Sequence, residues 1–336
     1  MGPNRRILEV LVNRYTQRFE CDKEVLFLCL NRPGKCGTSS SSTTTTDENI
    51  SDERKHIQTA CDDIITILNH YGIRKASLFY MCAGSTFAYS FATMYPKRTT
   101  GYVIGIASWV LRSDSSSEDI QTPQKMNSLT HRLAMKGIFG TKWFVSNLVA
   151  GLASNTNTLF SSIPSSWIVE KIKKEMSNDE VQQFNEQFPD EESFVELIIW
   201  IHMDGRDDDD ETSVFVNAKE DKAAIQLQST GCFGNVQIEN GNNNKDGDAK
   251  DIAVCLSTQQ DIGLVYKTTL PQQKQVLLWH GEHDQMISVS GGEYLQSMIS
   301  NATLTRIQKG THQGVMFFCP DDVMEALNRI SRDVSV

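Results

Sequence analysis

The chain has 336 residues, 39% of them hydrophobic, which is enough for one large domain or two smaller ones. A net charge of −10 argues against a nucleic-acid partner, because such binding rests on Lys and Arg neutralising phosphates. The longest apolar runs, Val25–Leu30 and Leu197–Ile201, are far too short to span a bilayer.

Taken in chain order, Ile7, Leu8, Leu11, Val12 and Tyr15 are spaced for one face of a helix over Arg6–Phe19. Val25–Leu30 reads as a buried strand, and Asn31–Gly37 as a loop by its Pro and Gly content. Thr38–Thr46 is a Ser/Thr tract without core-forming residues and is expected to be mobile. Ile57, Ala60, Cys61, Ile64, Ile65 and Leu68 form a helical stripe closed near Gly72. Ser77–Met81 reads as a strand, Gly84–Met94 as a helix and Tyr102–Ile106 as another strand. Such alternation predicts an α/β fold with a mostly parallel sheet covered on both faces.

Beyond Trp109 the pattern turns helical, with helices expected over Lys125–Leu152, Ser165–Met176, Glu191–Met203 and Ser213–Leu227. Two polar stretches, 204–212 and 239–251, read as disordered inserts. The second holds Asn242, Asn244, Asp246 and Gly247, but Ala253 stands where a calcium loop needs its closing Glu. Strands and helices return with Gln275–Trp279, Gly291–Ile299, Leu304–Gln308 and Asp321–Ile330. The expected organisation is a core over 1–110 and 269–336, split by a helical lid over 111–268.

Three residues follow predicted strands and so share the carboxyl edge of one sheet, where open α/β folds bind ligands: Cys82, Asp284 and His312. Their types allow nucleophilic catalysis. His312 would take the thiol proton, Asp284 would hold the imidazole in one tautomer, and Cys82 would attack a carbonyl. Cys82 lies in Tyr80-Met81-Cys82-Ala83-Gly84, where an apolar run turns into a helix as in a nucleophile elbow, with Tyr80 where the elbow normally carries Gly. Side-chain bulk at Tyr80 is expected to strain that turn. Ser85 is a rival nucleophile but falls inside the helix. The eight cysteines contain no Cys-x-x-Cys pair and no zinc spacing, so no metal or cofactor is expected. Scattered cysteines in apolar stretches favour a reducing compartment such as the cytoplasm.

Four segments together resemble the lid-bearing form of the α/β-hydrolase superfamily of esterases and lipases. Arg74–Gly84 resembles the family's fifth strand and elbow. Asn31-Arg32-Pro33-Gly34 with Gly37 and Ser39 resembles its Asp-Arg-Pro-Gly-x-Gly-x-Ser loop, with Asn31 replacing Asp and the second Gly one residue late. Leu278–Asp284 resembles the turn bearing the acid, and Gly310-Thr311-His312 the loop bearing the base. A Cys nucleophile occurs in the dienelactone hydrolases. The resemblance implies a hydrolase of an ester, thioester or lactone carbonyl, acting on a small apolar acyl substrate through a Cys82–His312–Asp284 triad. The N–H of Ala83 would form half of the oxyanion hole, with Gly2 nearest the place of the other half. The resemblance further implies that the chain begins inside the family's oxyanion loop, with earlier strands upstream. Aromatic residues of the lid stretch, among them Phe139, Trp143, Phe144, Phe160 and Trp167, are expected to line the pocket. The alternatives are acyl transfer to an alcohol and a non-catalytic binding protein that keeps the triad-like residues.

Overall fold

The computed structural model describes residues 15, 18, 19, 27, 28, 50–111, 165–174, 176–187, 243–266, 275–312, 314, 315 and 321–333. The expected helices over Lys125–Leu152, Glu191–Met203 and Ser213–Leu227, the loop at Asn31–Gly37, the Thr38–Thr46 tract and the insert at 204–212 lie outside them, as do most of Arg6–Phe19 and Val25–Leu30.

Four parallel strands, β1 (Ala76–Met81), β2 (Thr99–Ile106), β3 (Gln275–Gly281) and β4 (Ala302–Ile307), pair in chain order. Helix α1 (Asp52–His70) precedes β1, and α2 (Gly84–Met94) joins β1 to β2 through a short 3-10 turn. α3 (Ser165–Lys173), α4 (Asn178–Gln187), α5 (Asn243–Cys255) and α6 (Gln259–Ile262) fall between β2 and β3. α7 (Ser290–Met298) joins β3 to β4, and α8 (Asp321–Asp333) closes the described chain.

Successive strand residues face opposite sides, so the central strands feed two cores. Ile104, Ile106, Leu277 and Trp279 pack with Val169, Phe184, Val323 and Ile330. Val103, Val276 and Leu278 pack on the other face with Ile57, Cys61, Phe91 and Leu295. Burial on both faces explains why these strands read as apolar runs with no alternation. Phe27 and Leu28 contribute to opposite cores.

Helix α1 is set by local signals. Ser51 caps it, its Oγ accepting from the Arg54 N–H at 3.2 Å, and Asp52 and Glu53 complement the dipole of the first turn. It ends where Gly72 takes a φ of +67° and the Ile73 N–H returns to the Leu68 carbonyl at 2.7 Å.

Two expectations between β2 and β3 need correcting. The helix expected over Ser165–Met176 stops at Lys173, and the chain restarts as α4 at Asn178. The restart is a capping box: the Glu180 N–H donates to Ser177 Oγ at 3.3 Å while the Ser177 N–H donates to Glu180 Oε2 at 2.8 Å. The insert expected to be disordered over 239–251 is helical from Asn243 onward, in α5. Its composition is polar, but its second half supplies Ile252, Val254 and Cys255 to the buried interior, and Asp251 meets His56 of α1 at 3.0 Å. Tertiary packing outweighs the weak local propensity. This stretch continues onto the sheet face, where the Trp109 indole N–H donates to the Cys255 carbonyl at 3.0 Å.

The strain expected from Tyr80 is relieved by its neighbour. In the register of β1 and β2, Tyr80 lies opposite Gly105. A Cβ on Gly105 would come within 2.2 Å of both Cζ and Oη of Tyr80, so the ring occupies the space that a side chain on β2 would fill. The phenol is buried, and its oxygen lies 2.8 Å from both Tyr89 Oη and Ser108 Oγ. Beyond Tyr89 the aromatic contacts continue to Tyr266, whose hydroxyl accepts from the Leu111 N–H at 3.1 Å. Bulk two residues before Cys82 is therefore exchanged for a missing side chain on the adjacent strand.

Gly105→Ala is expected to destabilise the protein by about 1–3 kcal/mol through overpacking. Adding Tyr80→Ala should remove most of that penalty. Urea unfolding of the two single variants and the double variant measures the coupling, and strictly additive effects would contradict the contact.

Candidate active site

Cys82 stands at the corner between β1 and α2 with a φ of +50°, a left-handed conformation uncommon for a side-chain-bearing residue. Backbone hydrogen bonds hold it there. The Cys82 N–H donates to the Ile106 carbonyl at 2.9 Å, extending the β1–β2 pairing, and its own carbonyl accepts from Ser85 and Trp109, each at 3.2 Å. The turn places Cys82 at the N-terminus of α2, whose first turn carries no acidic residue.

Asp284 and His312 are brought together by a close approach of backbone. Beyond the end of β3, the Glu282 N–H donates to the Ile307 carbonyl at 3.0 Å and the His283 N–H to the Gly310 carbonyl at 2.9 Å. A Cβ on Gly281 would come within 2.2 Å of the Gly310 oxygen, so the two loops touch where neither bears a side chain. In that setting Asp284 Oδ2 lies 2.7 Å from His312 Nδ1. Its Oδ1 accepts from the N–H groups of Met286 (2.9 Å) and Ile287 (2.7 Å). His280 stands behind it, with Nε2 at 3.4 Å from Asp284 Oδ2 and 2.9 Å from the Ile287 carbonyl. The Cys82 thiol faces the same imidazole, close enough for each group to shift the other's ionisation. The structure thus brings together Cys82, His312 and Asp284, all three buried.

The electrostatics follow from that chain of contacts. Burial alone would raise the Cys82 thiol, but the hydrogen bond and charge of His312, helped by the Ala83 N–H, bring it below its ordinary value. Burial would lower His312; its hydrogen bonds to Asp284 and Cys82 prevail and raise it to about 10. For Asp284, burial is outweighed by hydrogen bonds from His280 and His312, which hold the carboxyl at about 2. The arrangement favours a thiolate facing an imidazolium. Cys61, buried without such a partner, is pushed up to about 12.

The remaining candidate residues separate clearly. Ala83 is the N-cap residue of α2, buried directly beside Cys82. Gly2 lies outside the described residues. Ser85 is fully buried, with its hydroxyl committed to the Trp109 carbonyl, so it is no alternative nucleophile. Of the aromatic residues expected to line a pocket, Phe139, Trp143, Phe144 and Phe160 lie outside the described residues, while Trp167 on α3 is 53% exposed. Glu180 was not a candidate, yet it contacts the residue before His312; the spacing Ser177-Asn178-Asp179-Glu180 was the available signal, and it pointed only to a helix start. Among the described residues no cluster of three or more His, Cys, Asp or Glu could hold a metal ion, and no helix is long and apolar enough to cross a membrane.

No protein-family model matches the sequence, and no curated protein matches it. Solved structures do. An esterase from Thermogutta terrifontis is 14% identical, with 99% of this chain and 87% of that chain covered at a TM-score of 0.52. An alpha/beta hydrolase fold protein from Nakamurella multipartita is 13% identical, covering 98% of this chain and 88% of its own at a TM-score of 0.49. A meta-cleavage product hydrolase from Pseudomonas fluorescens IP01 is 12% identical, with 99% and 88% covered at 0.49. The parallel sheet, the left-handed corner after β1 and the likeness to the esterase structure agree: the chain has the α/β-hydrolase fold.

Proposed function

We propose that the chain is a hydrolase that cleaves an ester, thioester or lactone by acyl transfer to Cys82. The observation that carries this reading is the 2.7 Å contact between Asp284 Oδ2 and Nδ1 of the imidazole that faces the Cys82 thiol at a left-handed strand-to-helix corner. The esterase among the solved structures of similar architecture is consistent with it.

In this mechanism the Cys82 thiolate attacks the carbonyl carbon, and the Ala83 N–H donates to the oxygen as it gains negative charge. The imidazolium of His312 gives its proton to the departing alkoxide or thiolate, leaving an acyl-cysteine and a neutral imidazole. His312 then takes a proton from water, the hydroxide attacks the acyl carbon, and the carbon–sulfur bond breaks to return the thiolate and release the acid. Throughout, Asp284 accepts from Nδ1–H and keeps the opposite nitrogen facing Cys82. The same residues would transfer the acyl group to an alcohol in place of water. A non-catalytic binding role is favoured by one observation, that Cys82 is only 8% exposed.

The readings part on a direct test. Incubation with p-nitrophenyl butyrate and with an alkyl thioester is expected to leave an acyl mass increment on the Cys82 peptide, absent in Cys82→Ala. His312→Ala should slow acylation about 100-fold or more. No turnover and no adduct would instead support the binding protein, and undiminished acylation in His312→Ala would overturn the proposed base.

The pH dependence has a definite sign. Acylation should rise with pH as Cys82, lowered from its ordinary value, loses its proton, and should fall again as His312 loses its proton near pH 10. A profile that keeps rising with the ordinary ionisation of a free thiol would contradict the pairing.

Asp284 also links stability to pH. Its folded value is depressed to about 2, so its contribution is fully present above the ordinary carboxylate range and is lost as pH falls through about 2. In urea unfolding, the stability gap between wild type and Asp284→Asn should shrink by about 2 kcal/mol as pH falls from about 5 toward 2.

A further inference from the structure

Close to the Asp284–His312 pair lies a carboxylate that the proposed chemistry does not use. Glu180, in the first turn of α4, is 9% exposed and belongs to a stretch far from His312 in sequence. Its two oxygens serve different elements. Oε2 closes the capping box, accepting from the N–H and Oγ of Ser177 at 2.8 and 3.1 Å. Oε1 leaves the helix altogether and accepts from the N–H of Thr311 at 2.8 Å and from its hydroxyl at 3.3 Å. The Thr311 oxygen in turn accepts from the Gly314 N–H at 3.1 Å.

A capping box needs one oxygen of the carboxylate; the second is committed here to the residue directly before His312. The loop is shaped around it, since a Cβ on Gly314 would come within 1.7 Å of Oε1. A buried carboxylate costs free energy unless its oxygens are bonded, and this one has donors on both. Thr311 and His312 are each 5% exposed, so movement of one displaces the other within a packed interior.

We propose that Glu180 is a positioning residue for His312. It clamps Thr311 so that Nδ1 of the imidazole stays on Asp284 while the other edge faces Cys82. The clamp comes from α4, so the seating of α4 on the core and the readiness of the thiol become one event. This inference rests on the Cys82–His312–Asp284 reading.

The test reads Cys82 itself. The ultraviolet absorbance of the thiolate, titrated in the full chain and corrected by the Cys82→Ser variant, gives the ionisation midpoint without requiring access by a reagent. In Glu180→Ala the midpoint should rise by about one unit toward that of an ordinary thiol, a tenfold loss of thiolate on the rising limb. Glu180→Gln, which keeps one oxygen for Thr311, should recover most of the shift. Ser177→Ala removes the partner in the cap and leaves the clamp, so it should lower the melting temperature without moving the midpoint. If Glu180→Ala lowers the melting temperature and leaves the midpoint at the wild-type value, Glu180 is only a helix cap and the inference fails. Should Glu180→Ala not fold, Gly314→Ala displaces Oε1 from the loop side and carries the same expected shift, with an unmoved midpoint again overturning the clamp. Failure of the underlying reading is distinguishable: the wild-type midpoint would then be ordinary and indifferent to His312→Ala.

Discussion

A single residue must turn the chain from β1 into α2, and Cys82 does so in a left-handed conformation. Its amide continues the ladder to β2, and its carbonyl receives the N–H groups of Ser85 in α2 and of Trp109 beyond β2. Because the corner is fixed on both sides, the thiol cannot relax away from the edge of the sheet. That fixed point gives the approach of the β3 and β4 loops its meaning: the backbone contact between Gly281 and Gly310 sets where Asp284 and His312 can meet, and the corner sets where the imidazole must reach.

The charges distribute along the same line. Asp284 is anchored by two backbone N–H groups and by His280, so it stays ionised although buried. Its charge supports a proton on His312, and that proton lowers the thiol. Each group compensates the desolvation of the next. Cys61, in the same core as Cys82, behaves as a small apolar residue for lack of this chain.

Much of this was legible in the sequence because it depends on local signals. The stripe from Ile57 to Leu68, the apolar runs of the strands and the small residues after Cys82 each specify an element without help from distant residues, and their order along the chain implied one shared sheet edge. The misreadings are places where distant packing decides. α5 draws its stability from Ile252, Val254 and the His56–Asp251 contact, none visible in the polar composition of its first half. Tyr80 looked strained because its compensating partner, Gly105, is set by sheet register. Glu180 carried a readable cap signal, but its second oxygen serves a loop more than a hundred positions away, and no spacing rule reaches that far.

The exchange between Tyr80 and Gly105 bears on how such corners are sought. A pattern that demands a small residue two places before the nucleophile treats as one position what the sheet treats as a pair of positions sharing a fixed volume. Either strand can supply the ring and the other the gap. Chains carrying a bulky residue at the first position should therefore be sorted by whether the register partner on the next strand is glycine, a covariation that an elbow motif read along one strand passes over.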